Sequence, residues 1–478
     1  MSTDPSLSSG GPSIESIQRQ KWIQMEPRVK WLGFDMDHTL VQYKIPEMYR
    51  LVHQFLVSTM VSGHGYPRDV FDVPFDPGLV TKGLILDFST GDFIQLDSEG
   101  YVAAARHGCK HILHPAEIKE RYGRKPWQFY SDLKQSKRIP TFKEFLTHFD
   151  TPAQHMCSLL VDYYDSKNWK SYDFWPSVLD GFIENFTPSY FREKKGTFFP
   201  LLQKHPKKYI ETRSDVRKLL VDLRKKGVRI FLVTNSHVDF ANHLMEVSFG
   251  KQWRELFDLV IYYAQKGRGF FSETNDFIEI DKKNVHESTK SVTPHLGKGC
   301  GYIGGNSKEV TRLMRKRDKE EKGEGSERTQ ICYVGDHLHG DIVTCREHTD
   351  WKTIYVLEEI SDDLSRESMP SKGFFPMFTV FPSDRPMSPD SMVEPEQRLS
   401  CLYDSKNVFS NSSLLPQSSR TFITTPPLTP PKPQNHKQSP ASLPEKEDRR
   451  TYHGALALKN SDSIVASVRG LISESTTH

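Results

Sequence analysis

The sequence predicts an α/β fold, a doubly wound parallel sheet, from three observations. Short apolar runs typical of buried strands recur at 29–34, 228–233, 259–262, 331–334 and 353–356. An amphipathic helix precedes the second run, with Ser214 suited to an N-cap, Gly227 at its end and apolar residues at helical spacing (Val216, Leu219, Leu220 and Leu223). Polar clusters follow several strands. Helices that alternate with apolar strands favour a parallel sheet covered on both faces.

The chain of 478 residues divides into four segments in this interpretation. Residues 1–27 form a flexible N-terminal arm, and 28–44 plus 214–362 form the core. Residues 45–213 form an inserted α+β domain, because they contain a hairpin pattern at 83–96 and helical patterns at 157–164 and 174–186. After residue 362, where 14 of the 30 prolines fall, we expect a Pro/Ser-rich tail (363–478) that is mostly disordered.

Composition excludes several classes of function. The net charge is only +3, so no global field favours nucleic acid or an anionic membrane. No apolar run approaches the roughly 20 residues that span a bilayer, and the N-terminus lacks the pattern of a secretory signal. The six cysteines are scattered, which is typical of reduced thiols. We therefore expect a cytoplasmic protein.

Two carboxylates, Asp35 and Asp37, come directly after the first strand. Side chains at i and i+2 of an extended segment project to the same side, so the two acids can converge on one substrate or metal ion. A solvated turn that happens to contain two acids explains the pair equally well on its own. Other motifs must decide between the two interpretations.

Three further strand ends carry polar groups: Thr234-Asn235-Ser236, Lys266 and Gly335-Asp336. The carboxyl ends of parallel strands lie side by side, so we expect these groups to meet Asp35 and Asp37. Together they supply carboxylates for a hard cation such as Mg²⁺, a hydroxyl and an amide for anionic oxygens, and a lysine that balances charge. The combination predicts a phosphoryl-transfer site.

At these residues the chain resembles the haloacid dehalogenase superfamily, at all four of its motifs: 35–40, 234–236, Lys266 and 335–341. Within that superfamily it is similar to the cytosolic purine 5′-nucleotidase branch at 304–307 and 106–108. The stretches 160–164 and 172–175 look nearest to the 5′-nucleotidase domain-containing protein 1 group. The resemblance covers roughly residues 28–360 and implies a Rossmann-like core.

The resemblance implies a role for each motif residue. Asp35 would be the nucleophile and Asp37 the general acid and base. The Asp35 side chain, the Asp37 carbonyl and the Asp336 side chain would bind Mg²⁺. The transferring phosphoryl group would be held by Thr234, Asn235 and Lys266. Asp341 would orient Lys266 or a metal-bound water, although a helix-start residue is the alternative for it.

Residues 45–213 would be a cap that covers the site and selects the leaving group. In the nucleotidase branch a Phe-Asn pair of the cap contacts the base, and here the aligned pair is Phe149-Asp150. An ionised carboxylate at the second position only accepts hydrogen bonds. Ordinary core packing explains Phe149 equally well.

The expected function is Mg²⁺-dependent hydrolysis of a small phosphorylated metabolite, with nucleoside 5′-monophosphates favoured by the resemblance. The alternative is a weakly active or non-catalytic scaffold that presents its Pro-rich tail to a partner. The large cap argues against phosphoprotein substrates. A homo-oligomer is left open.

Overall fold

The computed structural model describes residues 28–135, 141–280, 288–322, 329–357, 380–381, 449–461 and 463–465. The expected N-terminal arm (1–27) lies outside these ranges. So does most of the expected tail, including the Pro-rich segment 425–433. The expectations for those parts stay predictions.

The described strands are short, and in chain order they are β1 (Val29–Phe34), β2 (Leu84–Asp87), β3 (Asp92–Leu96), β4 (Val102–His107), β5 (His111–Ile112), β6 (Phe142–Phe145), β7 (Arg229–Val233), β8 (Leu259–Tyr262), β9 (Phe277–Glu279), β10 (Ser291–Val292), β11 (Gly301–Gly304), β12 (Gln330–Gly335), β13 (Lys352–Val356), β14 (Val380–Phe381), β15 (Arg449–Arg450) and β16 (Ser463–Val465).

The α-helices in the described ranges are α1 (Ile45–His64), α2 (Pro115–Tyr122), α3 (Tyr130–Lys134), α4 (Ala153–Ser166), α5 (Trp175–Phe186), α6 (Pro188–Glu193), α7 (Phe198–Lys204), α8 (Pro206–Tyr209), α9 (Ser214–Lys225), α10 (Val238–Phe249), α11 (Ser307–Lys322), α12 (Thr344–His348) and α13 (Tyr452–Asn460). Ser214, predicted as the N-cap of α9, is its first helical residue, and Arg213 takes the cap position. None of the helices in the described ranges is long and apolar enough to cross a membrane.

The main sheet has nine strands in the order β10-β9-β11-β8-β7-β1-β12-β13-β16. All neighbours from β11 to β16 pair in parallel, and β9 and β10 add an antiparallel edge. The predicted parallel α/β sheet is therefore confirmed. Sequence reasoning missed β11, because the run Gly301–Gly304 contains only two side chains that can be buried in a core.

Strand register brings the polar motifs to one edge of the main sheet. Phe34 of β1 lies opposite Leu232 of β7 on one side and Val334 of β12 on the other. The motif residues come one or two positions later on each strand: Asp35, Thr234 and Asp336. Because the three strands are parallel, these residues follow their strands at the same end.

A second, antiparallel sheet, ordered β5-β4-β3-β2-β6, is formed by the chain between β1 and β7. The predicted hairpin is its β2 and β3, the predicted helix 157–164 lies within α4, and the predicted helix 174–186 corresponds to α5, which begins at Trp175. Apolar side chains of α1, α4 and α5 belong to one buried cluster with those of β1 and β7. The inserted segment thus packs against the main sheet through a continuous apolar core.

Within the expected tail, residues 449–461 and 463–465 contain two short strands and a helix, whereas the expectation that the tail is mostly disordered stays a prediction. β16 pairs with β13, where Tyr355 lies opposite Ile464. Helix α13 buries Ala457 in an apolar cluster with side chains from both parts of the molecule (Leu146, Leu338, Ile342, Tyr355 and Leu357). Sequence reasoning missed this short apolar segment, because the surrounding tail is rich in proline and serine. A helix this short is stable only when it packs on surfaces formed elsewhere in the chain.

The same stretch also touches the second sheet. His453 Nε2 lies 3.0 Å from Glu144 Oε1 of β6, and the Tyr452 ring packs edge-on against Tyr130 with centroids 5.7 Å apart. A backbone bridge joins Thr451 to Asp97. Residues 449–461 and 463–465 therefore contact both the main sheet and the inserted segment.

Replacing Ala457 with aspartate tests this packing. An unpaired charge in the apolar cluster should lower the free energy of unfolding by about 3 to 5 kcal/mol. The matched control is Lys459→Asp on the same helix, where the side chain is exposed and the change should stay within about 0.5 kcal/mol. Chemical denaturation measures both variants. Equal effects of the two substitutions would contradict the packing of α13.

Candidate active site

A tight turn follows β1 and presents Asp35 and Asp37. The Asp35 amide donates to Val334 O of β12 at 2.8 Å, which ties the start of the turn to the neighbouring strand. Met36 O then accepts from the amides of Leu40 at 3.0 Å and Val41 at 2.8 Å. Between them His38 adopts a left-handed backbone, with φ of 54°. The turn is hydrogen-bonded throughout, so it is a defined structure rather than a solvated loop.

Lys266 lies between two carboxylates and is almost completely buried. Its Nζ is 2.7 Å from Asp35 Oδ1 and 2.5 Å from Asp341 Oδ1. Burial on its own disfavours the ammonium, but Asp341 and Asp35 outweigh it and raise the pKa of Lys266. Lys266 is therefore a permanently charged group that joins the first and fourth motifs.

Backbone hydrogen bonds fix the loop that carries Lys266. The amide of Tyr263 donates to Ser236 O and the amide of Ala264 to Thr234 O, both at 3.0 Å. The Lys266 amide donates to Asn235 Oδ1 at 2.9 Å. The segment Thr234-Asn235-Ser236, which directly follows β7, thus fixes the position of the loop that carries Lys266.

The spacing of the fourth motif has a steric reason. The Asp341 carboxylate lies against the backbone of Gly335, where an added Cβ would come within 2.4 Å of Asp341 Cγ. The amide of His337 donates to Asp341 Oδ2 at 3.1 Å, and His337 Nδ1 accepts from the Gly340 amide at 2.6 Å. A single π-helical turn, Leu338–Val343, results. Only a chain with glycine at 335 can return Asp341 to the strand end.

The Asp37 carboxylate is bound by two hydroxyl groups. Tyr43 donates to Asp37 Oδ1 at 2.7 Å and Ser236 donates to Asp37 Oδ2 at 2.8 Å. Burial of the carboxyl and the charge of Asp35 nevertheless raise the pKa of Asp37 to about 6. An acid with a pKa near neutrality can both donate and accept a proton under physiological conditions.

Three carboxylates are grouped closely enough to hold one cation. Oxygen atoms of Asp35, Asp336 and Asp341 all lie within 4.8 Å of one another, and the three residues are buried. Burial and the charges of Asp35 and Asp341 raise the pKa of Asp336 well above its usual value, and burial also raises that of Asp341. Oxygen donors with this excess of negative charge fit a hard divalent cation.

Two of these carboxylates, Asp35 and Asp336, belong to the predicted metal set, and Asp341 lies with them. The third predicted ligand is the backbone carbonyl of Asp37, whose side chain is bound by hydroxyl donors instead, so that part of the metal set stays a prediction. Asp341 is also paired with Lys266. Thr39 Oγ1 donates to Asp336 Oδ1 at 3.3 Å, which links the fourth motif back to the first.

The predicted cap residues lie close to this cluster. The Phe149 ring packs edge-on against the rings of His38 and Tyr43, with centroids 5.4 Å and 5.6 Å apart. Asp150 Oδ2 is 2.5 Å from Lys143 Nζ, and Asp150 Oδ1 accepts from the Thr147 amide at 2.7 Å. Asp150 therefore holds the loop that presents Phe149, and its contact with a base stays a prediction.

Sequence reasoning missed Tyr43 and Tyr333 and gave Ser236 no role. The Tyr333 hydroxyl donates to Val233 O at 2.9 Å and lies 3.4 Å from Lys266 Nζ. Tyr333 could have been noticed in the sequence, because its hydroxyl group is a polar group within the apolar run 331–334. Tyr43 sits in no motif, and its partner Asp37 becomes evident only from the turn geometry.

Comparison with known proteins places this arrangement in a family. The sequence profile of the 5′ nucleotidase family matches residues 20–374. The chain belongs to the 5′ nucleotidase family. Membership confirms the predicted resemblance and the prediction of a phosphatase-type hydrolase.

Two curated relatives of this family member carry the name 5′-nucleotidase domain-containing protein 1. The human protein is 32% identical over 348 residues, which is 72% of this chain and 74% of the relative. The bovine protein is 32% identical over 340 residues, 70% of this chain and 73% of the relative. Among solved structures, an archaeal β-phosphoglucomutase from Pyrococcus sp. strain ST 04 covers 69% of this chain and 88% of its own at 13% identity. Its TM-score of 0.21 is too low to bear on fold or function.

A bound divalent cation should stabilise this family member more at neutral than at acidic pH. Folding raises the pKa of Asp37 from 3.8 to about 6 and also raises that of Asp336. The folded protein thus binds more protons than the unfolded chain in this range, so its stability without a cation falls as pH rises from about 4 to about 6. Saturating Mg²⁺ should then raise the thermal midpoint more at about pH 7.5 than at about pH 5.

The same measurement on Asp336→Asn locates the effect. Loss of one carboxylate from the group should reduce the Mg²⁺-dependent rise, while Asp180→Asn, an exposed position on α5, should keep it. Equal Mg²⁺ shifts in the wild type and Asp336→Asn would argue against a cation at this cluster.

Proposed function

We propose that this protein hydrolyses nucleoside 5′-monophosphates with Mg²⁺, through an aspartyl-phosphate formed on Asp35. The observation that carries the proposal is the different environment of the two acids of the first motif: Asp35 is paired with a lysine, and Asp37 is a carboxyl with a raised pKa. The Asp35 carboxylate is paired with the Lys266 ammonium at 2.7 Å, which holds it in place after β1. Asp37 has a pKa of about 6, suited to proton transfer.

In the first half-reaction the Asp35 carboxylate attacks phosphorus and the bond to the ester oxygen breaks. Asp37, in its protonated form, gives its proton to the departing alkoxide. Lys266, Thr234 and Asn235 lie at the neighbouring strand ends, where their polar groups would bind oxygens of the transferring phosphoryl group. The products of this step are the alcohol and a phosphorylated Asp35.

In the second half-reaction a water molecule attacks the aspartyl-phosphate. Asp37, now ionised, takes a proton from that water, phosphate leaves, and both acids return to their starting states. Asp35, the Asp37 carbonyl and Asp336 would hold Mg²⁺, with Asp341 beside them. Bound there, the cation would reduce the repulsion between the carboxylates and the phosphate dianion.

Substrate choice belongs to the inserted segment in this proposal. Residues 45–213 would act as a cap, and Phe149 would face the substrate from beside His38, to which its ring already packs. The names of the curated relatives support a nucleotide rather than another phosphate ester. The buried position of Asp35 supports a small substrate, because a bulky phosphoprotein could not reach it.

Loss of the Asp35 carboxylate tests the nucleophile. We expect purified wild-type protein with Mg²⁺ to release phosphate from one or more nucleoside 5′-monophosphates in a panel that includes sugar phosphates. Asp35→Asn should lower kcat by at least about a thousandfold, because no covalent step remains. Asp180→Asn makes the same chemical change at an exposed site and should keep full activity. An active Asp35→Asn enzyme would disprove the mechanism, and an inactive wild type would favour the scaffold alternative.

The pH profile tests the role of Asp37. A hydrogen bond from Ser236 favours the ionised carboxylate and lowers the pKa of Asp37, so Ser236→Ala should raise that pKa. Because the first half-reaction needs Asp37 protonated, the alkaline limb of kcat/KM should move to higher pH. Tyr43→Phe removes the other hydroxyl donor and should move the limb in the same direction. An alkaline limb that stays in place in both variants would rule out Asp37 as the acid.

A further inference from the structure

A lysine of the inserted segment, Lys82, lies buried beside the catalytic turn. It lies two residues before β2, and only 4% of it is exposed. Its Nζ is 2.5 Å from Nε2 of His148, and the His148 ring lies 4.3 Å from that of His38, centroid to centroid. His38 is the residue that follows Asp37, so two side-chain contacts connect Lys82 to the first motif.

The backbone on both sides of Lys82 is held in place. The amide of Thr81 donates to Gln154 Oε1 at 2.9 Å, and Gln154 Nε2 donates back to Thr81 O at 2.7 Å. The amide of Gly83 donates to Phe145 O at 2.9 Å. Lys82 is therefore positioned by α4 on one side and by β6 on the other.

His148 orients the ammonium group of Lys82. A lysine ammonium only donates, so Nε2 of His148 accepts and its proton resides on Nδ1. Nδ1 lies 2.9 Å from the hydroxyl oxygen of Tyr49, which can accept that proton. Burial and the charge of Lys82 keep the pKa of His148 well below its usual value, consistent with a neutral ring. Tyr49 and His148 thus hold Lys82 from the side of the inserted segment.

The positive charge of Lys82 acts on one carboxylate of the site, Asp336. It lowers the pKa of Asp336 and also that of His38, which lies in the turn after β1. Lys266 approaches the carboxylate group from the main sheet, where it contacts Asp35 and Asp341. A phosphate dianion that enters among these acids is repelled by each of them, so a second cation favours its binding.

We propose that Lys82 is a phosphate-binding residue that the inserted segment contributes to the active site, with His148 as its positioning residue. The inference rests on the proposed function, because it takes a phosphate monoester as the ligand. It implies that the inserted segment does more than select the leaving group: it supplies part of the phosphate site, so the site is complete only when the two parts of the molecule are packed together.

The test compares Lys82→Met, Lys82→Arg and Lys119→Met in the full-length enzyme with Mg²⁺ and p-nitrophenyl phosphate. Methionine replaces the unbranched stem of lysine but lacks the terminal ammonium group, and Lys119 is an exposed lysine on α2 that serves as the control. Loss of one charge-assisted contact should raise KM and the inhibition constant of inorganic phosphate together, by about ten- to a hundredfold. The value of kcat should change by less than about threefold. Lys82→Arg should restore most of the affinity, and Lys119→Met should match the wild type.

Two results would overturn the inference. One is an unchanged phosphate inhibition constant in Lys82→Met. The other is equal damage from Met and Arg with a lowered thermal midpoint, which would mean that Lys82 only supports packing. Calorimetric titration of inorganic phosphate into each Mg²⁺-loaded variant gives a binding readout that does not depend on turnover. Failure of the proposed function is distinguishable, because it appears as an active Asp35→Asn enzyme or an inactive wild type, whatever Lys82→Met does.

Discussion

The concentration of buried negative charge at the end of β1 is the constraint on which the rest of the site depends. Asp35, Asp336 and Asp341 lie within one small volume, and ionised carboxylates so close together repel each other strongly when water is excluded. Lys266 contacts two of them directly. Removing one partner from a buried ion pair typically lowers the free energy of unfolding by about 3 to 5 kcal/mol. Lys266 therefore stabilises the fold in addition to its expected role in the reaction.

Much of the surrounding structure serves to keep these groups in place. Gly335 leaves room for the Asp341 carboxylate, and the Tyr333 hydroxyl fills the space between Val233 O and Asp341. Asn235 holds the amide of Lys266. The contacts of Tyr333 with Val233 and of Lys266 with Asn235 join different strand ends, so the arrangement depends on the assembled sheet as well as on the turn after β12.

The inserted segment contacts the turn that carries Asp35 and Asp37. The rings of His148 and Phe149 both pack on His38. Asp150 stabilises the loop that carries them, because it accepts hydrogen bonds from Lys143 Nζ and the Thr147 amide. The C-terminal stretch reinforces the contact from the other side, where His453 Nδ1 approaches Gly83, the neighbour of Lys82. A segment almost a hundred residues beyond β13 in sequence therefore lies next to the loop that enters β2.

The sequence by itself determined the parallel α/β core, the hairpin and helices of the inserted segment, and the set of polar motifs at the strand ends. These follow from local pattern, because a buried strand needs an apolar run and an amphipathic helix needs apolar residues at helical spacing. The roles assigned to Asp35, Asp37 and their neighbours remain predictions of that same reasoning.

Only the tertiary structure decided which groups meet. The contact of Asp37 with Tyr43 and the position of Asp341 against Gly335 depend on the shape of the turns that connect these residues. The contact of Asp37 with Ser236 and the approach of Lys82 through His148 join residues that are far apart in sequence. The packing of residues 449–465 is of the same kind, since a helix of nine residues is stable only on a surface that the rest of the chain provides. The periodicity of apolar residues in the sequence shows which face of a helix or strand is buried, but it does not show which other element packs against that face.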